Sequence, residues 1–253
     1  MTLPRYFLEN QALREGDIFS LDKEDCQHAR KVLRLREGDQ VEVSDGQGRH
    51  FSAFLREAEG NSLAVELGQE IWEDPESPLE TTLVQGLLKG DKMDQVIRQA
   101  TELGVDRIVP LFSYRSVARF GQEKAEKKVQ RWQRIARGAA SQSRRSLIPR
   151  VEAPIAWEEL PEKLVLVEGA LNLLFWEGED QRPYPREAGM KWPRVNLLVG
   201  PEGGFHQEEV VPLQEEFLTV SIGPRILRAE TAAVAALCMV QLLYGDMGGL
   251  CLK

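Results

Sequence analysis

Leu197-Leu198-Val199-Gly200-Pro201-Glu202-Gly203-Gly204 and Ile222-Gly223-Pro224-Arg225-Ile226-Leu227-Arg228-Ala229-Glu230-Thr231-Ala232 each put Gly and Pro where an apolar run stops and a helical pattern starts. Gly reaches positive φ cheaply and lets backbone approach a ligand with no Cβ in the way. Pro fixes φ and removes a competing amide. The pair predicts two sharp turns at the same end of one sheet, the end at which α/β proteins bind ligands. A lone Gly-Pro-Glu-Gly-Gly is more often an ordinary strand-to-helix turn than a site. The second segment adds Arg228 and Glu230 immediately before a long apolar helix, and a purely structural turn has little use for both charges.

Working outward from these turns, the pattern alternates. Residues 81–87 read as a strand. Residues 91–103 read as a helix, with Met93, Val96, Ile97, Ala100 and Leu103 on one face and Gly104 as its stop. Residues 107–112 follow as a strand and 123–140 as a helix. Further strands are expected near 164–167, 195–199 and 219–222, with a helix over 207–216. Residues 230–244 are apolar nearly all round, as in a buried helix. Residues 172–193, rich in Pro, Gly and charge, are expected to form an irregular loop. Alternating strands and helices imply an α/β domain with a mostly parallel sheet covered on both faces. Ahead of it, residues 5–8, 40–44, 50–55 and 62–67 are short strand candidates, Asp45-Gly46-Gln47-Gly48 is a hairpin turn, and 23–35 is a helix. Glu73-Asp74-Pro75-Glu76-Ser77-Pro78 reads as a linker, giving domains over residues 1–72 and 81–253 joined by 73–80.

Composition excludes several classes. The first twenty residues carry Arg5, Glu9, Arg14, Glu15 and Asp17, so no signal peptide is expected there. The apolar run 232–240 is short of the roughly 20 residues that cross a bilayer. A cytoplasmic protein without membrane attachment is expected. Cys26, Cys238 and Cys251 show no CxxC spacing, and His28, His50 and His206 show no ligand spacing, so no metal site is expected.

The net charge of −8 argues on its face against a nucleic-acid partner, but its distribution does not. From Arg115 to Arg150 the chain holds eleven Lys or Arg against Glu123 and Glu126, a local net of +9, which leaves −17 elsewhere. A second basic cluster, Arg30, Lys31, Arg34 and Arg36, contains no acid. Phosphate binding follows the local field, so both clusters are candidates for an RNA footprint, with a solvated helix face as the alternative for 124–137.

The two Gly/Pro segments, Lys92-Met93 with Glu102-Leu103-Gly104-Val105, His28 with Val32-Leu33-Arg34, and Gln142-Ser143, Arg145 and Pro149 together resemble the RsmE family of ribosomal RNA methyltransferases, within the SPOUT superfamily. The resemblance spans both halves of the chain. It departs at Ser141 and Arg144, where that family usually has an acidic and a small residue. It implies a PUA-like β-barrel followed by a SPOUT-type knotted parallel-sheet domain, working as a homodimer. The implied reaction is S-adenosylmethionine-dependent methylation of N3 of a uridine in 16S ribosomal RNA of the small ribosomal subunit. By the same resemblance the cofactor lies among three loops: a turn around Glu168, Gly169 and Ala170, the turn over Leu198, Val199, Gly200, Pro201, Glu202 and Gly203, and the segment holding Ile222, Gly223, Leu227, Thr231 and Ala232.

Methyl transfer to uracil N3 requires positioning and a way to favour the anion once the N3 proton leaves. Arg228 is the candidate to stabilise negative charge on the ring oxygens, with an ion pair to Glu230 as the structural alternative. Glu202 and Glu230 are candidates to accept the proton or oppose a sulfonium charge, although an acid in a first helical turn also favours the helix dipole. Arg30 and Arg34, with Arg137, Arg144 and Arg145, are candidates to grip phosphates beside an unpaired target base. The competing readings are a SPOUT methyltransferase acting on transfer RNA and a non-catalytic RNA-binding ribosome-assembly factor.

Overall fold

The computed structural model describes residues 3–72, 75–116, 120–163, 169–177 and 192–247. The chain forms two compact units, Met1–Glu76 with Ala140–Ile148, and Ser77–Ala139 with Pro149–Lys253.

In the first unit the strands are β1 (Arg5–Phe7), β2 (Ile18–Ser20), β3 (Gln40–Ser44), β4 (His50–Ala58) and β5 (Ser62–Ile71). They form one sheet in the order β1-β3-β4-β5-β2, antiparallel except for β1 beside β3. No pairing joins β1 to β2 among the described residues, so the sheet is an open half-barrel rather than a closed one. Alternation selects the inner face: Val41 and Val43, then Phe51, Ala53 and Leu55, then Leu63, Val65 and Leu67 are buried around Tyr6, Leu13 and Leu21. The expected hairpin turn joins β3 to β4, with Asp45 Oδ1 accepting from the amides of Gln47 (2.8 Å) and Arg49 (3.1 Å). The helix expected over 23–35 is shorter: α1 (Lys23–Gln27), capped by Asp22, runs into one π-helical turn, His28–Val32, and the chain leaves helical geometry at Arg34 (φ 56°).

A charge cluster, buried at Arg5, Glu42 and Arg145, ties this unit together. Glu42 accepts from Arg5 (2.7 Å) and Arg144 (2.5 Å), and Glu76 accepts from Arg145 (2.7 Å) and from the amides of Ser146 and Leu147. Burial pushes the Glu42 carboxyl up, but the hydrogen bonds and charges of Arg144 and Arg5 outweigh it and hold the group below the usual glutamate value. A carboxyl depressed on folding contributes stability that is full above its unfolded value and lost as pH falls through the folded one. Thermal melts from pH 7 down to pH 3 should therefore show stability falling below the ordinary glutamate range. Glu42→Gln should melt lower at pH 7 and show a flatter acid limb; an unchanged acid limb would refute the assignment.

In the second unit β6 (Glu80–Gly86), β7 (Arg107–Phe112), β8 (Arg150–Val151), β9 (Ile155–Ala156), β10 (Ala170–Phe175), β11 (Arg194–Val199) and β12 (Leu218–Val220) form an all-parallel sheet, ordered β12-β10-β11-β6-β7-β8 with β9 also on β7. Adjacent residues such as Leu83 and Val84, or Leu197 and Leu198, are both buried and belong to different clusters, because helices and loops cover both faces. The helices are α2 (Lys92–Glu102), α3 (Gln122–Ser143), α4 (Leu160–Lys163), α5 (Gln207–Val210) and α6 (Ala229–Tyr244). Met93, Val96, Ile97 and Ala100 of α2, and Ala233, Ala236, Leu237 and Val240 of α6, enter the same core. Asp94 ties α2 to α3 by accepting from Trp132 Nε1 (3.1 Å) and from Arg131.

The strand expected near 164–167 lies outside the described residues, and two other expectations change. The segment expected to be irregular from 172 instead begins inside β10, which pairs with both β11 and β12. The helix expected over 207–216 is one α turn followed by a 3-10 turn, Val211–Leu213, because Pro212 supplies no amide to continue it.

Candidate active site

Parallel register aligns Phe175 with Val199 and Val220, Val199 with Gln85, and Gly86 with Leu111. The turns leaving β6, β10, β11 and β12 therefore share the carboxyl end of the sheet. Gly204 N donates to Pro201 O (2.9 Å), closing a tight turn after β11, with Gly204 at φ 64°. Gln85, fully buried at the end of β6, donates from Nε2 to the carbonyls of Gly86 (3.0 Å) and Gly200 (3.1 Å), while its Oε1 has no hydrogen-bond partner among the described residues. The backbones meet so closely here that a Cβ on Gly86 would lie 2.5 Å from Pro201 N.

The turn after β12 is held more loosely. Gly223 (φ 141°) donates to Ser221 Oγ (3.2 Å), and Ile226 stands 90% exposed. Arg228 occupies the N-cap of α6 with no side-chain capping bond. Its exposed guanidinium makes no hydrogen bond or ion pair among the described residues, so the alternative of an ion pair with Glu230 is not what the structure shows.

Lys92, at the start of α2, links the two turns. Its Nζ lies 3.3 Å from Glu202 Oε1 and 3.4 Å from Glu230 Oε2, and Glu202 Oε1 also accepts from the Lys89 amide (3.0 Å). Glu230 is buried, and its Oε2 meets the distance for an ion pair but lacks hydrogen-bond geometry. Partial burial raises the Glu202 carboxyl, but the amides of Lys89 and Glu202 and the Lys92 ammonium outweigh it and lower its pKa. Glu202 is thus a carboxylate at neutral pH and a weak base. Lys92→Met should raise the Glu202 pKa, read by carbon-13 NMR titration, and should lower the melting temperature, because it leaves the buried Glu230 carboxylate without its ammonium. An unmoved Glu202 titration would show that the ammonium is not its partner.

Thirteen of the expected residues gather here: Leu198, Val199, Gly200, Pro201, Glu202 and Gly203 on one segment, and Ile222, Gly223, Leu227, Arg228, Glu230, Thr231 and Ala232 on the other. Leu198 and Val199 bury their side chains in the core, leaving only backbone to face a ligand. Gly169 does not join them. It precedes β10, and since Ala170 pairs with Arg194, it lies at the amino end of the sheet. Two residues past the carboxyl end of β10 stands Glu177, whose Oε1 would lie 2.8 Å from a Cβ on Gly204. Gln85, Gly86, Lys92 and Glu177 were not assigned roles from sequence; only Lys92 carried a signal, as part of the family motif. Among the basic residues, Arg145 is corrected: it is 4% exposed and bound to Glu76, so it cannot grip a phosphate. Arg144 is held by Glu42, and Arg30 by Glu57 (2.5 Å). Arg34 is exposed with no ion pair among the described residues, and Arg137 is half-buried. No group of three metal-ligating side chains occurs among the described residues, and no helix there is long and apolar enough to cross a membrane.

Residues 75–241 match the family model for an RNA methyltransferase domain, and residues 21–68 match that for an RNA methyltransferase PUA domain. The chain belongs to the RNA methyltransferase family. A relative within it, ribosomal RNA small subunit methyltransferase E of Bacillus subtilis, is 32% identical over 256 residues, covering 96% of this chain and all of the relative. The same enzyme of Neisseria gonorrhoeae, solved bound to S-adenosyl methionine, is 32% identical and superimposes with a TM-score of 0.86 over 97% of this chain and all of that one. A Legionella pneumophila protein solved with the bound cofactor SAM is also 32% identical, with a TM-score of 0.87 over 98% of this chain and all of that one. An RNA methyltransferase domain preceded by a PUA domain agrees with the open β-sheet unit and the parallel α/β unit described above.

Proposed function

We propose that this RNA methyltransferase methylates N3 of a uridine in 16S ribosomal RNA of the small ribosomal subunit, using S-adenosylmethionine. The observation that carries the reading is the convergence of the 200–204 and 222–231 segments on Lys92, with two carboxylates and the exposed Arg228 at one end of a parallel sheet. The relatives' small-subunit names support the RNA substrate, and the family resemblance supports N3.

The residues present fit the cofactor. A buried Gln85 Oε1 without a partner, and open space around Gly223, both among the described residues, are features of a backbone cradle for a polar ligand. When bound, S-adenosylmethionine supplies a methyl group on a positively charged sulfonium. Backbone of Leu198, Gly200, Gly203, Ile222 and Leu227 would hold its adenosine part. Glu202, kept ionised by Lys89 and Lys92, attracts positive charge better than it removes a uracil proton. Arg228 stabilises the ring-oxygen charge that develops as N3 loses its proton to solvent. Arg30, Arg34 and Arg137 are assigned to backbone phosphates, and the chain is assigned a trefoil knot, a homodimer and a cytoplasmic location on the family resemblance alone.

The test is transfer of a labelled methyl group to ribosomal RNA from a strain lacking the modification, followed by location of the modified base. A label at uridine N3 of 16S RNA is expected. Label in transfer RNA, or none, would overturn the reading. RNA affinity should also fall steeply between 50 and 200 mM salt, by about tenfold or more if a few phosphates are neutralised.

A further inference from the structure

Beside the site, a cavity of about 510 Å³ opens between the end of β7 and α3. Its apolar wall includes Phe112 and Phe120, packed edge to face with centroids 5.2 Å apart, together with Ala125 and Val129 of α3. Glu126 and Gln130, one helical turn apart, are its polar lining on the same helix. Phe112 is the last residue of β7, and β7 pairs with β6 through Leu111 and Gly86. The cavity therefore lies at the same end of the sheet as the candidate active site, off the strand next to β6.

Two lysines mark its flank. Lys128 Nζ sits 5.3 Å from the Phe120 ring centroid and 5.5 Å from that of Trp132. Lys124 is one turn earlier on the same stripe, exposed, and without an ion pair among the described residues. An apolar ring-lined slot with donor and acceptor groups at one side and cations beside it matches a flat base on a phosphate backbone. A lipid chain would have no use for Glu126 and Gln130, and an acidic peptide would have little for the two rings.

We infer that this cavity takes an unpaired nucleobase flanking the methyl acceptor, stacked on Phe120 and read by Glu126 and Gln130, with Lys124 and Lys128 on the adjoining phosphates. This rests on the methyltransferase reading above. A stacked base contributes on the order of tenfold or more in affinity, whatever its identity.

The test uses the full chain and two single-stranded probes of about twelve nucleotides, oligouridylate and an abasic oligomer of equal length. The wild type should bind oligouridylate about tenfold tighter. Phe120→Ala should erase most of that difference while leaving abasic affinity and S-adenosylmethionine affinity unchanged. Ala153→Trp, filling the cavity from an exposed position on its rim, should do the same and serves if Phe120→Ala does not fold. Wild-type discrimination retained in the folded variants would overturn the inference. So would an Ala153→Trp variant that changes the protein's mass in solution and not its oligonucleotide affinity, since the occupant would then be a protein. Failure of the methyltransferase reading shows separately, as absence of label from wild-type enzyme acting on ribosomal RNA.

Discussion

Arg228→Ala is expected to lower methyl transfer to ribosomal RNA by about 10²- to 10³-fold, the usual cost of removing one donor aimed at developing negative charge. Affinity for S-adenosylmethionine, measured by calorimetry, should stay within about twofold, since the loss is expected in the transition state and not in cofactor binding. The geometry makes the experiment interpretable. The Arg228 side chain is exposed and has no partner among the described residues, so its removal strands no buried group. Its side chain makes no capping bond at the N-cap of α6, and its carbonyl still accepts from the Ala232 amide (2.8 Å), so the helix start survives. Arg228→Lys keeps the charge without the planar fork and should recover only part of the rate. Loss of cofactor binding in parallel with activity would place Arg228 in the cofactor site instead.

The contrast between Arg228 and Lys92 shows what the sequence could and could not disclose. The Gly/Pro segments after β11 and β12 were legible because a turn that ends an apolar run is a local event, written in adjacent residues. So was α6, whose apolar character needs no partner to be recognised. Lys92 reaches Glu202 and Glu230 across well over a hundred residues of chain, and no local pattern encodes that meeting. The same holds for Glu42 with Arg144 and Glu76 with Arg145: two arginines inside a basic run look like a phosphate grip until their carboxylate partners are located. That pairing also explains why Ala140–Ile148 groups with the N-terminal unit. β10 was hidden for another reason. Its Ala-Leu-Asn-Leu-Leu-Phe run is short, polar at Asn172, and followed by a stretch rich in Pro, Gly and charge that dominates the local reading. Asn172 is accommodated because its Oδ1 accepts from Asn196 Nδ2 on β11 (2.7 Å) and its amide donates to Glu216 O (3.2 Å).

Gly86→Ala is expected to be the most damaging single-methyl change in the second unit. In a strand interior, replacing Gly by Ala ordinarily stabilises slightly, by restricting the unfolded chain. Here the added Cβ would lie 2.5 Å from both Pro201 N and Pro201 Cδ and 2.9 Å from Gly200 C. Backbone and a proline ring have no rotamer by which to retreat, so the β11 turn itself must move. Overpacking of this kind costs about 1–3 kcal/mol. The displacement is transmitted, because Gln85 binds the Gly86 and Gly200 carbonyls and Glu202 follows directly in the displaced turn. A shifted turn withdraws Glu202 from Lys89 and Lys92 and misplaces the backbone assigned to the cofactor. The variant should therefore melt several degrees lower and bind S-adenosylmethionine at least tenfold more weakly. The control is Gly38→Ala: Gly38, in the first unit, meets nothing within 4 Å but sits at φ 86°, so Ala there is strained without touching the β11 turn or the Lys89 and Lys92 contacts that hold it. It should lose some stability and keep cofactor affinity. If Gly86→Ala kept wild-type cofactor affinity, the 200–204 turn would not be part of the cofactor site.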